Sequence, residues 1–319
     1  MDDVTRSAAA PRWRGEAGRL EVWYATLSDP VTRAALWVHC EVVAPTTGSG
    51  SPYGHGWVTW FPAEGSPCTE RFGPNPIEPA APDAPWFSIA GTHATYQELA
   101  GRAGSLQWGL HWEDTGTPLW TFPRVAWERE LLPGTQVVIA PTALFTGSVT
   151  AGGTPQRVDG WRGAVAHIYG HGNARRWGWI HTDLGDGGVL EVVTAVSHKP
   201  GLRRLPPMAF VRFRIDGRDW PARGLPSLRM RTLLGPRHWQ LEGRIGRRQV
   251  LIRVDQHPER CVSLRYTDPD GATAVCTNTE QADVYVEIGD RSWSVLGTGH
   301  AEVGLRGTDA PAVNERKPL

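Results

Sequence analysis

The sequence of 319 residues lacks the patterns by which several common functions are recognised. Its 33 basic and 33 acidic residues cancel to a formal net charge of zero, so it lacks the basic excess of a nucleic-acid-binding protein. It contains no Gly-rich phosphate loop, no G-x-S-x-G elbow and no H-E-x-x-H motif. Nucleotide binding and serine hydrolysis therefore have no support, and no nucleic-acid partner is expected.

Cysteine is scarce, and apolar runs are short. The four cysteines are widely spaced and form no C-x-x-C pair, which makes a metal knuckle improbable and favours reduced thiols in a cytoplasmic protein. No apolar run approaches the roughly 18 residues of a membrane span. Residues 1–15 lack the apolar core of a signal peptide. The sequence thus predicts a cytoplasmic protein with no integral membrane segment.

Before residue 200 there is also no long segment with the 3.6-residue period of an amphipathic helix. Short alternating segments are instead separated by turns that draw on 37 Gly and 26 Pro. This rhythm excludes a doubly wound α/β fold and predicts an all-β protein made of two tandem antiparallel barrels. Residues 1–14 are expected to form a loose leader, residues 95–101 a helical turn, and the tail from Thr308 a disordered segment.

Tryptophan, in contrast, is abundant and unevenly placed, with 13 of 16 before residue 206. Together with the Pro-containing segment 199–207, this shift predicts a domain boundary. The N-terminal barrel would span residues 15–205 and the C-terminal barrel residues 206–308. The Trp loading predicts an aromatic-lined ligand pocket inside the first barrel. A first barrel that is packed solid would argue against any ligand-based function.

The segment 166–183, AHIYGHGNARRWGWIHTD, concentrates the residue types of a reactive site. Its members fall into two rows of constant parity, the first His167, Tyr169 and His171, the second Trp177, Trp179, His181 and Asp183. Residues of one parity point to one face of a strand. Two such strands facing one cavity would bring imidazoles, a phenol, indoles and a carboxylate together.

A metal site is not expected from this segment. His167 and His171 are four residues apart, but the glycines beside them argue against a helix. On a strand the two histidines would lie roughly 13 Å apart, too far to share one metal ion. A site in which His181 joins one of them stays a minority alternative to satisfied or catalytic histidines.

Two alternatives stay open for each aromatic row. The row Trp37, His39 and Glu41 either faces solvent or is buried with a partner for Glu41, because burial of an unpaired carboxylate is costly. In the row from Trp177, the two indoles either pack a barrel with polar groups at its rim or flank a general acid. Indole faces stabilise positive charge by about 0.5–2 kcal/mol per desolvated contact.

Three stretches resemble the tocopherol cyclase / carotenoid 1,2-hydratase superfamily: LEVWYATL (20–27), AHIYGHGNARRWGWIH (166–181) and YTDPDGATAVCTNTEQADVYV (266–286). The resemblance spans roughly residues 15–305 and implies two tandem lipocalin-like barrels. Tyr169-Gly170 matches the family's aromatic-Gly step, and Trp177 with Trp179 matches its spaced W-x-W. The run from His171 to Asn173 departs from the family pattern, which leaves the proton donor open.

The resemblance implies a cofactor-independent enzyme acting on a hydrophobic polyene, prenyl or polyketide-like small molecule. Relatives cyclise a prenylated quinol, hydrate a carotenoid double bond or guide a Diels–Alder cyclisation. We predict four catalytic residues: Tyr169, His171, His181 and Asp183. We predict eight ligand-binding residues: Tyr24, Trp37, His39, Glu41, Trp57, Asn173, Trp177 and Trp179.

Two other classes of function compete with the enzyme. The first is a non-catalytic lipocalin-like carrier of an apolar ligand, and the second is a scaffold whose cavity is filled and inert. Buried acids and imidazoles with perturbed pKa values inside a pocket would favour the enzyme, because a carrier needs none. The sequence leaves the substrate and the oligomeric state open.

Overall fold

The computed structural model describes residues 3–81, 85–113, 116–198, 201–222, 227 and 230–307. These residues form two large antiparallel sheets, which confirms the all-β prediction. The helical elements in this part of the chain are short: α1 (Asp3–Ala9), α2 (Arg124–Glu128), η1 (Leu202–Arg204) and η2 (Pro258–Arg260). None of the described helices is long and apolar enough to cross a membrane. The tail predicted to be disordered lies outside the described residues.

The first sheet takes up the N-terminal half of the chain. Its strands are β1 (Arg19–Ser28), β2 (Ala35–Ala44), β3 (Tyr53–Phe61), β4 (Cys68–Pro76), β5 (Phe87–Ile89), β6 (Thr92–Ala94), β7 (Glu98–Ala103), β8 (Leu106–Glu113), β9 (Leu119–Trp120), β10 (Gly134–Ala151) and β11 (Thr154–Gly170). The order is β4-β3-β2-β1-β11-β10-β8-β7-β6-β5, with β9 paired to β10. The edge strands β4 and β5 touch, so the sheet nearly closes. The helical turn predicted over residues 95–101 is wrong, because β7 begins there and pairs with β8.

The second sheet follows directly. Its strands are β12 (Arg176–Gly185), β13 (Gly188–Val196), β14 (Met208–Ile215), β15 (Arg218–Trp220), β16 (Met230–Leu234), β17 (His238–Ile245), β18 (Arg248–Asp255), β19 (Val262–Thr267), β20 (Thr273–Ile288) and β21 (Arg291–Arg306). The order is β15-β14-β13-β12-β21-β20-β18-β17-β16, with β19 paired to β20. Its inner face has an aliphatic core of its own, which includes Ile180, Ile252 and Val284.

The interior of the first sheet is a packed core rather than the predicted ligand cavity. Strand alternation turns residues such as Leu36 and Val38 of β2 inward, where they join one large apolar cluster. Eight of the tryptophans belong to that cluster: Trp13, Trp23, Trp60, Trp86, Trp108, Trp112, Trp127 and Trp161. Packing of this core therefore accounts for much of the uneven Trp distribution, and a ligand site is expected outside it.

The change from one sheet to the next falls at residues 171–175, whereas the sequence predicts a domain boundary between residues 205 and 206. Strands β12 and β13, which that division assigns to the first barrel, pair within the second sheet. Their Trp177 and Trp179 pack against residues of the first sheet, such as Trp37 and Tyr24. The Trp-rich composition thus continues past the change of sheet because the two sheets share an aromatic interface.

The N-terminal segment enters the interior of the first sheet instead of forming a loose leader. His167 Nδ1 lies 2.8 Å from the carbonyl oxygen of Ala8 in α1. The backbone N–H of Trp13 donates to the buried carboxylate of Glu21 at 3.0 Å, and His167 Nε2 lies 2.8 Å from the same carboxylate. The inward-facing polar pair Glu21 and His167 therefore anchors α1 and the residues after it.

Candidate functional site

An apolar pocket of about 210 Å³ lies between the two sheets. The outward faces of β1, β2 and β11 form one wall, and the facing side chains of β12, β13, β14 and β21 form the other. Aromatic rings line both walls, and the ring of Tyr24 meets that of Trp179 edge-on with centroids 5.3 Å apart. Phe122 and Phe210 contact each other at a centroid distance of 4.5 Å. The pocket therefore suits an apolar ligand of small-molecule size.

A histidine-paired carboxylate lies on the first-sheet wall. Glu41 is buried, with His39 Nε2 at 3.0 Å from one carboxylate oxygen and His55 Nε2 at 3.6 Å from the other. Burial alone would raise the pKa of Glu41, but the two imidazoles outweigh it and lower the pKa to about 2. Burial lowers the pKa of His39, so its ring is neutral near neutral pH. The wall thus presents an ionised carboxylate beside a neutral imidazole.

The alternative of a solvent-facing row for these residues is wrong. His39 is 6% exposed, and its ring stacks on the indole of Trp57 at a centroid distance of 3.9 Å. Trp37 meets Trp57 edge-on at 5.6 Å. Although the strand spacing separates the backbones of His39 and Glu41, their side chains converge, because Trp57 on β3 supports the imidazole from behind.

A second carboxylate, of opposite character, lies on the second-sheet wall. Glu302 on β21 is half-buried in the pocket lining and accepts a hydrogen bond from Trp177 Nε1 at 2.5 Å. Burial raises the pKa of Glu302, and the nearby Glu280 carboxyl adds to the rise, while the Trp177 hydrogen bond opposes it. Tyr266, whose pKa burial raises well above its usual range, contributes a neutral phenol to the same wall. This wall therefore favours a protonated carboxylic acid.

A buried polar layer continues from the pocket between the sheets. Glu191 on β13 accepts a hydrogen bond from Trp179 Nε1 at 2.8 Å and a short one from Gln136, both of which line the pocket. The other oxygen of Glu191 lies 2.9 Å from His181 Nδ1. Burial raises the pKa of Glu191, and its three partners oppose the rise. His300 stacks on His181 with centroids 6.1 Å apart.

Most of the predicted ligand-binding residues come together in this pocket. Seven of the eight are among the described lining residues: Tyr24, Trp37, His39, Glu41, Asn173, Trp177 and Trp179. The eighth, Trp57, packs behind His39 and Trp37. The side-chain amide of Asn173 donates a hydrogen bond to Asp268 at 2.8 Å. This hydrogen bond fixes the loop of residues 171–175, which connects the two sheets. Their role in ligand binding stays a prediction.

The first pair of predicted catalytic residues lies away from the pocket. The Tyr169 hydroxyl accepts a hydrogen bond from Arg19 Nε at 3.1 Å, and its ring belongs to the core of the first sheet. His171 is exposed, with Nδ1 at 2.8 Å from Arg19 Nη1. The expectation that the two rows of segment 166–183 face one cavity is therefore wrong. The chain changes sheets between them, so Tyr169 faces the first core and Trp179 the interface.

The second pair of predicted catalytic residues, His181 and Asp183, is also absent from the described residues that line the pocket. His181 is buried in the polar layer against Glu191, and the minority alternative of a metal shared with His167 or His171 finds no geometric support. Asp183 pairs instead with Arg162 of β11 at 3.0 Å, at the partly exposed edge of the interface. Strand alternation correctly predicted that His181 and Asp183 share a face with Trp179, but Trp179 is the last residue of this row in the pocket lining.

Sequence reasoning missed the two residues that give the second wall its chemistry. Glu302 belongs to a period-two row with His300, in which an imidazole and a carboxylate alternate with small apolar residues, as they do in the Trp37-His39-Glu41 row. That pattern was a usable signal. Tyr266 offered none, because its ring meets that of Trp57, at 5.0 Å, only where the second sheet packs against the first.

The Gly304→Ala substitution should destabilise the second wall. Gly304 lies opposite Trp177 in the β12–β21 ladder, and an added Cβ would fall 1.9 Å from the indole ring. We expect a loss of about 1–3 kcal/mol in the free energy of unfolding, the usual effect of overpacking, measured by urea denaturation. Gly109→Ala is the control, because nothing lies within 4 Å of its added Cβ. Equal stability of Gly304→Ala and the control would contradict this packing.

A pH-dependent gain in stability is expected for Glu280→Gln. Burial raises the pKa of Glu280 well above its usual range, so the folded protein favours the protonated carboxyl, which lies against His300. The stabilisation from that proton is complete below the unfolded-state pKa and is lost as pH rises toward the folded-state value. The difference in Tm between the Gln variant and the wild type should therefore grow from pH 5 to pH 8. A difference that is constant with pH, like that of exposed Glu287→Gln, would contradict it.

Comparison with known proteins places this site in a family context. A family model described as tocopherol cyclase-like matches residues 86–305. Two uncharacterized proteins of Mycobacterium tuberculosis, MT0513 of strain CDC 1551 / Oshkosh and Rv0493c of strain ATCC 25618 / H37Rv, are each 76% identical over 318 residues. That match covers 100% of this chain and 96% of each relative.

Two solved structures share the fold. Kievitone hydratase from Nectria haematococca superposes with a TM-score of 0.60 at 11% identity, covering 93% of this chain and 91% of the hydratase. A protein assigned as AttH from Nitrosomonas europaea gives 0.56 at 13% identity, covering 92% of this chain and 98% of the other. These likenesses confirm the lipocalin-like architecture. Since the family model spans both sheets and most of the described site, the chain belongs to the tocopherol cyclase-like family.

Proposed function

We propose that this protein catalyses the acid-assisted addition of an O–H group across a carbon–carbon double bond of an apolar small molecule. The reaction is a hydration when the O–H group belongs to water and a cyclisation when it belongs to the substrate. One observation carries the proposal: Glu41 and Glu302, contributed by different sheets to one apolar pocket, have pKa values shifted in opposite directions. Such separated pairs are typical of acid–base catalysis.

In the first step, the carboxylic acid of Glu302 transfers its proton to one alkene carbon. A C–H bond forms, the Glu302 O–H bond breaks, and the neighbouring carbon becomes electron-deficient. The desolvation that raises the pKa of Glu302 favours the protonated form that this step requires. The indole N–H of Trp177 then stabilises the carboxylate that is left behind.

The electron-deficient carbon is the species that an aromatic pocket stabilises. Trp37, Trp179 and Tyr266 line the cavity. Each desolvated contact between a cation and such a ring contributes about 0.5–2 kcal/mol. The small volume of the pocket also holds a flexible substrate in a folded, reactive conformer. The entropic cost of ordering the substrate is then met on binding and not in the reaction step.

In the closing step, the attacking O–H forms a C–O bond and releases its proton. Glu41 accepts that proton, directly or through the neutral imidazole of His39, which lies 3.0 Å away. After product release, Glu41 loses a proton to solvent and Glu302 regains one, so the cycle neither consumes nor produces net protons. His39 and Glu41 thus act as the base, and Glu302 acts as the acid.

Family membership supports a cyclase- or hydratase-type enzyme, and the neighbour named as a hydratase has the same fold. The pocket's perturbed acid and imidazole favour an enzyme over a carrier, because a carrier gains nothing from them. The alternative of an inert, filled scaffold applies to the core of the first sheet but not to the pocket between the sheets. We also propose the cytoplasmic location that the sequence predicts.

The proposal is tested by incubating the purified protein with prenylated phenols and linear polyenes and following product mass. A gain of one water identifies hydration, and an unchanged mass with altered retention identifies cyclisation. Saturable binding with recovery of unchanged ligand across the panel would contradict the enzyme and favour the carrier.

A further inference from the structure

Three segments meet at the opening of the pocket and form what we call the rim: residues 129–133, 171–175 and 201–208. Each contributes a lining residue, namely Pro133, Ala174 and Met208. The backbone N–H of His171 donates to Pro133 at 2.7 Å, and Arg175 Nη1 donates to the Arg203 carbonyl at 3.4 Å. The rim is therefore one connected surface around the entrance.

The rim exposes apolar side chains that a water-facing loop does not require. Leu131 is 61% exposed, Leu205 is 52% exposed, and Met208 is 40% exposed although it also lines the pocket. Scattered exposed leucines are ordinary, but a set of them around the mouth of an apolar cavity is a feature of interaction surfaces.

The rim also carries an excess of positive charge. Exposed arginines lie in each of its three segments: Arg129, Arg175, Arg203 and Arg204. The acidic groups nearby already have arginine partners from outside this set. Glu130 pairs with Arg12 and Arg19, and Asp268 and Asp270 both pair with Arg306.

We propose that the rim docks on the surface of an anionic lipid bilayer, so that the pocket opens directly toward the lipid. Leucine and methionine would enter the boundary of the acyl chains, while the arginines meet lipid headgroups of opposite charge. An apolar substrate dissolved in the bilayer would then reach the pocket without crossing water. This surface goes beyond the proposed reaction, and its lipid binding can be measured without turnover.

The test is co-sedimentation of the full chain with vesicles. We expect binding to vesicles of phosphatidylcholine mixed with phosphatidylglycerol, weaker binding at high salt, and little binding to phosphatidylcholine alone. Removing two charges with Arg203→Gln and Arg204→Gln should weaken binding roughly thirtyfold, since each basic residue near such a surface contributes about 1 kcal/mol. Leu131→Ser with Leu205→Ser should weaken binding too.

The second sheet offers matched controls. Arg247 and Arg248 form an exposed arginine pair on the β17–β18 turn, next to Gly289 at the end of the sheet opposite the rim. Leu233 on β16 is 56% exposed, similar to the rim leucines. Replacement of these residues by Gln and Ser should leave vesicle binding unchanged. Equal weakening by both arginine pairs would overturn the proposal. Absence of vesicle binding would also overturn it.

Discussion

The Glu302→Gln variant is expected to turn over an alkene substrate about 100- to 10,000-fold more slowly than the wild type, the range that one general acid contributes. The amide preserves the size of the side chain and can still pair with Trp177, so substrate affinity should change little. The loss should therefore appear in kcat rather than in KM. Steady-state kinetics measures both constants.

The pH profile separates an acid from a structural role for Glu302. Because burial raises the pKa of Glu302, wild-type activity should fall as pH rises through that elevated value and the acid loses its proton. The residual activity of Glu302→Gln should lack this alkaline limb. Glu287→Gln, an exposed carboxylate on the same sheet, should keep the wild-type rate and profile. A Glu302→Gln enzyme of normal kcat would contradict the assignment.

The second large effect is expected for Glu41→Gln on the opposite wall. Without its carboxylate the pocket has no anionic acceptor for the proton of the attacking O–H, and His39 loses the partner to which it would pass that proton. We expect a decrease in kcat of about 100- to 10,000-fold, measured in the same assay. Glu98→Gln is the matched control, since Glu98 also faces a histidine, at 3.4 Å from His93, but lies exposed outside the pocket.

The stability of Glu41→Gln provides an independent check on the electrostatics. The pKa of Glu41 is lowered to about 2 in the folded protein, so its contribution to stability is present above the unfolded-state pKa. That contribution disappears as pH falls from the usual carboxyl range toward 2. Wild type should therefore lose stability over that interval relative to Glu41→Gln, and parallel curves of Tm against pH would contradict the lowered pKa of Glu41.

The sequence predicted which side chains share one face of a strand, but it did not predict which part of the protein packs against that face. Alternation correctly grouped Trp37, His39 and Glu41, and likewise Trp177 and Trp179, because the side-chain period of a strand is a local property. Whether a face turns toward the first core or toward the second sheet depends on contact between the two sheets, such as that of Tyr24 with Trp179. That contact joins residues far apart in sequence, so no local pattern records it.

The same distinction explains why the predicted catalytic residues lie outside the pocket lining. His181 and Asp183 share the face of Trp179 as predicted, but Glu191 and Arg162 occupy their polar groups. Glu302 was overlooked because a glutamate on a strand most often faces solvent, and its raised pKa arises from desolvation between the sheets. The perturbed pKa values in this pocket depend on sheet-on-sheet packing.

The central claim, proton transfer from Glu302 to carbon, is tested most directly by turnover in D2O. Protonation of an alkene by an exchangeable acid must leave one carbon-bound deuterium in each product molecule, whether water or an internal hydroxyl then adds. A shape-guided pericyclic cyclisation, the third reaction that the resemblance implies, leaves none. We predict a product that carries one such deuterium, with its formation lost in Glu302→Gln. A product without carbon-bound deuterium would contradict the account.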